Sequence, residues 1–244
     1  VKLALARLLL AAALVSATGC AVLQRANANF WELERGPSNQ APDPTTTPEP
    51  VVQVYAARTV GWRGVFAVHT WIAMKPRDAA EYTRYEVIGW RVYRGVPAVR
   101  VNRSGPDDYW FGARPERLVD LRGDGVDDVI ARVEGAITAY PYPDSYRIWP
   151  GPNSNTFTAW VGRSVPELRL KLPSTAIGKD FLPNGSLADT TPSGTGVQVS
   201  LFGVSGLALG WEEGIEVNVL SLNFGVELKS PALKLPLVGR VSPF

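Results

Sequence analysis

Residues 64–76, GVFAVHTWIAMKP, are apolar on both alternating faces. Side chains alternate across a β-strand, so such a segment must be covered on both sides. A central strand closed by Pro76 is therefore predicted, with a layer of structure above it and another below. RDAAEY reads as a turn, and RYEVIGWRVY, residues 84–93, as a second strand that pairs with the first. VPAVRVN, residues 96–102, reads as a third. The period then changes. Val126, Val129, Ile130, Val133 and Ile137 fall at i, i+3, i+4, i+7 and i+11, the buried stripe of an amphipathic helix. YRIW, residues 146–149, returns to an extended pattern. A second helix is predicted behind Ser154, burying Phe157, Trp160 and Val161 and ending before Pro166. Strands and packed helices together give an α+β domain over residues 51–172.

Residues 173–244 differ in character. A loop-rich stretch leads to VQVSLFGVSGLALG and IEVNVLSLNFGVELK, two β segments around Trp211-Glu212-Glu213-Gly214. They predict a β-rich C-terminal extension packed on the first domain. The Glu212-Glu213 pair reads as a solvated turn.

The amino end carries Lys2 and Arg7, an apolar run from Leu8 to Val15, then Ala17-Thr18-Gly19-Cys20. A charged start, an apolar middle of roughly 7–15 residues and a small-residue cut site are the layout of a secretory signal. The run is shorter than the about 20 apolar residues of a membrane span. The segment before Cys20 resembles a bacterial lipobox, which implies cleavage after residue 19 and lipidation of Cys20. The partner expected from this is the membrane, reached through a lipid anchor. Ala21 lacks the acidic character linked to inner-membrane retention, so the expected location is the outer membrane, facing the periplasm. Residues 20–50, with GPSNQAPDPTTTPEP, predict an extended, solvated tether.

Loss of residues 1–19 would remove two basic residues and no acid, leaving 23 basic against 23 acidic side chains. A neutral chain gives no electrostatic case for nucleic-acid binding. Cys20 is the only cysteine, so no disulfide forms within the chain. One histidine and one cysteine do not build a typical zinc site. DLRGDG, residues 120–125, has Arg122 where a calcium loop needs oxygen. No phosphate-loop motif occurs. Ser205 in GVSGL is out of register for a G-x-S-x-G elbow. No cofactor is expected.

Two junctions hold chemistry. His69, the only histidine, shares a strand face with Val65, Ala67 and Trp71. Asn153-Ser154-Asn155 precedes the second helix. If the two sites meet, Ser154 is a nucleophile, His69 its base and Glu86 or Tyr85 the orienting group, with helix-start N–H groups as an oxyanion hole. Asn153, Asn155 and Trp71 would then contact the ligand. The other reading is structural: Asn and Ser are preferred N-caps, and a histidine on an apolar strand is a core residue.

VHTWIAMKP, YEVIGW, GPNSNTFTAWVGR, AIGKDF, TPSGTG and GLALGWEEGIEVNVL together resemble a family of uncharacterised bacterial lipoproteins, domain of unknown function 3750. More distantly, a strand His followed by Asn-Ser at a helix start is similar to circularly permuted papain-like folds of the NlpC type, which carry Asn-Cys there. That resemblance implies a permuted papain-like domain with an antiparallel sheet and packed helices. It implies two functions. One is a binding or scaffolding module with a vestigial groove for a cell-wall peptide, glycan or lipid. The other is a Ser154–His69 hydrolase or acyltransferase. Serine in place of cysteine weighs on the second, because a helix amino terminus can yield a thiolate but not an alkoxide.

Overall fold

The computed structural model describes residues 30–242. Cys20 and the expected signal segment lie outside the described residues. The described residues form two antiparallel sheets and two substantial helices, in agreement with the expected α+β class and β-rich C-terminal region.

The first sheet has five strands: β1 (Val51–Arg58), β2 (Val68–Lys75), β3 (Thr83–Val87), β4 (Val99–Asn102) and β5 (Glu116–Arg122). Their spatial order is β4-β3-β2-β1-β5, so the doubly apolar strand is central. The predicted second strand stops at Val87, and Gly89–Val92 makes a single helical turn, α1. YRIW is not a strand. β1 and β5 escape the sequence reading because they fall in the assigned tether boundary and in a charged segment.

Alternation then builds two cores. Val68, Ile72 and Met74 of β2 join Val52, Val54 and Ala56 of β1 on one face. Helices α2 (Val126–Thr138) and α3 (Ser154–Ser164) cover this face with Val129, Ile130, Val133, Phe157 and Val161. Each fully buried aliphatic or aromatic side chain contributes about 1.5–3 kcal/mol. The opposite face holds Tyr55, Ala57, Trp71 and Ala73. Its cover comes from Ala41, Tyr82, Trp110 and Ala113. Thus a short part of the expected tether docks on this face, while most of residues 30–50 is exposed or half-buried. Ser38 Oγ donates to the Asp107 carbonyl at 2.7 Å, and the Pro42 carbonyl accepts from Tyr82 Oη at 3.1 Å. The physical reason is the second apolar face, which needs a cover that the helices do not supply.

The second sheet is a seven-stranded meander: β6 (Ala188–Thr190), β7 (Gly196–Leu201), β8 (Ser205–Gly210), β9 (Gly214–Val219), β10 (Leu222–Glu227), β11 (Ala232–Leu235) and β12 (Gly239–Val241). The two predicted β segments are two hairpins. Their register sorts the side chains sharply. Val197, Leu209, Ile215, Val226, Leu233 and Val241 form one row across the sheet. Val199, Leu207, Val217 and Phe224 form the next. Most of these are exposed, from Leu207 at 39% to Val197 at 64%. The other face, turned towards the body of the protein, carries Gln198, Ser200, Glu216, Asn218, Asn223 and Lys234, all buried. The usual arrangement of a half-solvated sheet, apolar inside and polar outside, is inverted.

Burial of that polar face is made possible by Lys179 and Asp180. Lys179 Nζ donates to Asp180 Oδ1 at 3.0 Å and to Glu216 Oε2 at 2.5 Å. Asp180 Oδ2 accepts from Asn218 Nδ2 at 3.2 Å and Asn223 Nδ2 at 2.8 Å. Lys234 reaches Glu216 from the other side. Burial opposes the charge on Lys179, but Asp180 and Glu216 overcome it and raise its pKa. Glu213, expected in a solvated turn, is buried and accepts from the Ser193 hydroxyl and backbone N–H.

Candidate functional site

The first turn of α3 sits directly against β2. Thr70 Oγ1 lies within hydrogen-bond distance of Asn155 Oδ1 at 3.0 Å, Thr158 Oγ1 at 2.9 Å and the Ser154 carbonyl at 3.2 Å. Asn155 Nδ2 donates to the carbonyls of Val68 at 3.0 Å and Ile177 at 2.8 Å. Asn153 is the N-cap: its Oδ1 accepts from the N–H groups of Asn155 and Thr156 at 3.0 and 3.2 Å. Thr156 Oγ1 accepts in return from the Asn153 N–H, closing a capping box. Asn153 Nδ2 donates to the carbonyls of Ile148 and Ile177. Gly178, at φ +100, lets its backbone approach this amide; a Cβ there would lie 2.3 Å from Asn153 Nδ2. Both asparagine side chains are therefore committed to the fold, and Ser154 is 5% exposed.

His69 follows the alternation to the other face. Its ring stacks on Trp110 at 3.9 Å between centroids and on Trp71 at 5.8 Å. Its Nε2 lies 3.1 Å from Glu86 Oε2. Glu86 also accepts from Arg84 at 2.9 Å, Asn102 Nδ2 at 3.2 Å and Arg100 at 3.5 Å. Arg84 lies over the Trp71 ring at 4.1 Å. Burial pulls the His69 pKa down more strongly than Glu86 pushes it up, so the ring is neutral, with Nε2–H as donor. Burial alone would raise the Glu86 carboxyl, but the bonds from His69 and the charge of Arg84 bring it to about 2.

The structure thus unites His69, Glu86 and Trp71, and separately Asn153, Ser154 and Asn155. Among the described residues no hydrogen bond joins Ser154 Oγ to His69 or Glu86. Tyr85, the other orienting candidate, points towards α2 and donates to Glu134 at 3.3 Å. Trp71 is fully buried, its Nε1 donating to the Pro106 carbonyl at 2.7 Å. It offers no open surface to a ligand. Arg84, Arg100, Asn102 and Trp110 complete the His69 cluster and escape the sequence reading. Arg84 alone had a signal, since it stands two residues before Glu86 and shares its face.

The family model for the protein of unknown function DUF3750 matches residues 49–181. The chain belongs to this family. Its match ends just after Lys179-Asp180, so the DUF3750 region supplies the ion pair that plugs the polar face of the C-terminal sheet. No curated protein and no solved structure matches the chain. Among the described residues, no helix is long and apolar enough to cross a membrane.

Proposed function

We propose that this DUF3750 protein is a cell-envelope lipoprotein that binds and scaffolds at a membrane surface, lying against the lipid through its C-terminal sheet. The inverted sheet carries this reading. Its outward rows are almost wholly aliphatic, and the longer one spans six strands, about 24 Å at the usual strand spacing. Continuous apolar patches of this extent mark interaction surfaces. Protein partners usually supply hydrogen bonds and aromatic or Arg anchors across an interface. Here the outward rows offer one phenylalanine and no charged group, which suits acyl chains. Trp211, Phe202 and Leu220 sit in the turns at the ends of the strands, where an amphipathic or apolar side chain meets the lipid boundary. Lipidation of Cys20, expected from its lipobox, would hold the face at the bilayer.

We read the first domain as a permuted papain-like domain whose groove is vestigial. The order of His on β2 and Asn-Ser at a helix start is kept. The helix-start N–H groups of residues 155 and 156 are taken by Asn153, and the imidazole is engaged with Glu86. These observations favour binding over Ser154–His69 hydrolysis.

The test is flotation of Cys20→Ala protein lacking residues 1–19 with phosphatidylethanolamine–phosphatidylglycerol vesicles, which removes both the apolar signal segment and the lipid anchor but leaves the sheet. The expected result is co-flotation that falls at least about tenfold in a Val199→Lys/Val217→Lys variant of unchanged thermal stability. Absence of flotation, or equal flotation of both proteins, would reject the membrane-facing sheet.

A further inference from the structure

A cavity of about 550 Å³ lies between the two sheets, and neither His69 nor Ser154 lines it. Its walls come from the end of β1, the start of β5, residues 171–175 and the β10–β12 region. The lining holds six cations, Arg58, Arg114, Arg117, Lys171, Lys234 and Arg240, against two carboxylates, Glu116 and Glu227.

The partners of these cations show where positive charge is left over. Glu227 already serves three of them: Lys171 at 3.1 Å, Arg240 at 2.9 Å and Lys234 at 3.7 Å. Arg117 pairs with Asp120 at 3.2 Å. Among the described residues the hydrogen-bond acceptors of the Arg58 guanidinium are carbonyls, those of Gly64, Val65 and Val238. Three carbonyls orient its guanidinium, and the nearby Glu116 carboxylate offsets part of its charge without pairing with it directly. Arg114 has no hydrogen-bond or ion-pair partner among the described residues. Leu172 and Val68 supply low-dielectric wall beside these groups, which focuses the field into the cavity. The chain's formal net charge is only +2, yet this one concavity gathers six cations against two carboxylates.

We infer that this cavity binds a multivalent oxyanion of the phosphate type, held between Arg58 and Arg114 with Lys171 and Arg240 at its margin. Two or more negative charges match the excess. A planar guanidinium can offer such an anion paired N–H donors. The site is built jointly by the DUF3750 region and the C-terminal extension, since Arg58 and Arg114 lie within residues 49–181 and Arg240 beyond them. The anion could arrive free in solution or as a lipid headgroup. The inference does not depend on the membrane-facing sheet.

The experiment is calorimetric titration of full-length Cys20→Ala protein with inorganic pyrophosphate at low salt. Saturable binding is expected, weakened at least about tenfold by Arg114→Glu, a change at an exposed position that leaves the melting temperature in place. Arg58→Lys, which keeps the charge but loses the fork, is expected to weaken binding as well. No heat up to millimolar pyrophosphate, or binding undiminished by Arg114→Glu, would overturn the site. A second arm assigns the source: pyrophosphate that displaces the protein from phosphatidylglycerol vesicles marks a headgroup site, and failure to displace it marks a soluble ligand.

Discussion

Asn153 Oδ1 accepts the backbone N–H of Asn155 at 3.0 Å, so the helix start that an oxyanion hole would use is already occupied. The same Asn153 accepts from Thr156, and Asn155 is bolted to β2 at Val68. The Asn-Ser-Asn junction is a structural joint between α3 and the central strand, and its substitutions should be read as stability effects.

Asn153→Ala removes the cap and is expected to cost about 1 kcal/mol or slightly more. Asn155→Ala removes the side-chain donor to the Val68 carbonyl and one of the two donors to the Ile177 carbonyl, and is expected to cost more, about 2–3 kcal/mol. Ser154→Ala, which breaks no side-chain hydrogen bond among the described residues, is expected to fall within about 0.5 kcal/mol of wild type. Denaturant midpoints check this order; a Ser154 effect larger than that of Asn155 would contradict it.

A fluorophosphonate probe is expected to give the same background signal with wild type, Ser154→Ala and His69→Ala. Labelling of wild type that disappears in both variants would restore the Ser–His dyad and overturn the binding reading.

His69 is held neutral by burial, and its folded pKa lies below the ordinary value. As pH falls through the usual imidazole range near about 6.5, the unfolded chain takes up a proton that the folded chain refuses. Stability should therefore drop there, and His69→Phe should flatten that limb. Because the chain has one histidine, NMR reads its ring directly; a midpoint at or above the ordinary value would contradict the buried, neutral assignment.

Glu86 behaves in the same direction over a lower window. Its carboxyl falls from 4.5 to about 2 on folding. The stabilisation is complete above its unfolded value, is lost as pH falls towards its folded value, and is on the order of 3 kcal/mol. Glu86→Gln is expected to cost a similar amount or more at neutral pH, because buried Arg84 loses its carboxylate. A neutral-pH loss under about 1 kcal/mol would show that the cluster is not tightly coupled.

The elements visible in the sequence were those with one dominant period. Val126 to Val133 marked α2, Phe157 and Val161 marked α3, and the doubly apolar run marked β2. β5 was hidden because ERLVDLR presents charge to solvent from a sheet edge. The docking of Ser38 and Pro42 was not legible because Pro-rich composition does not reveal a tertiary surface waiting to be covered. His69 and Glu86 could be paired from alternation, whereas Trp110 reaches His69 from a loop that no local pattern predicts. The inversion of the second sheet was written in VQVSL and IEVNV, whose polar residues alternate as cleanly as their apolar ones. Which face turns inward was decided by Lys179-Asp180, remote in sequence from both strands.

The central claim is that the outward rows of the C-terminal sheet meet lipid. In a Cys20→Ala background, an environment-sensitive fluorophore on Val217→Cys should shift to the blue and become accessible to a lipid-borne quencher when vesicles are added. The same fluorophore on Tyr93→Cys, an exposed position on the first domain, should not respond. A Val217 probe that stays as water-exposed with vesicles as without them would contradict the account.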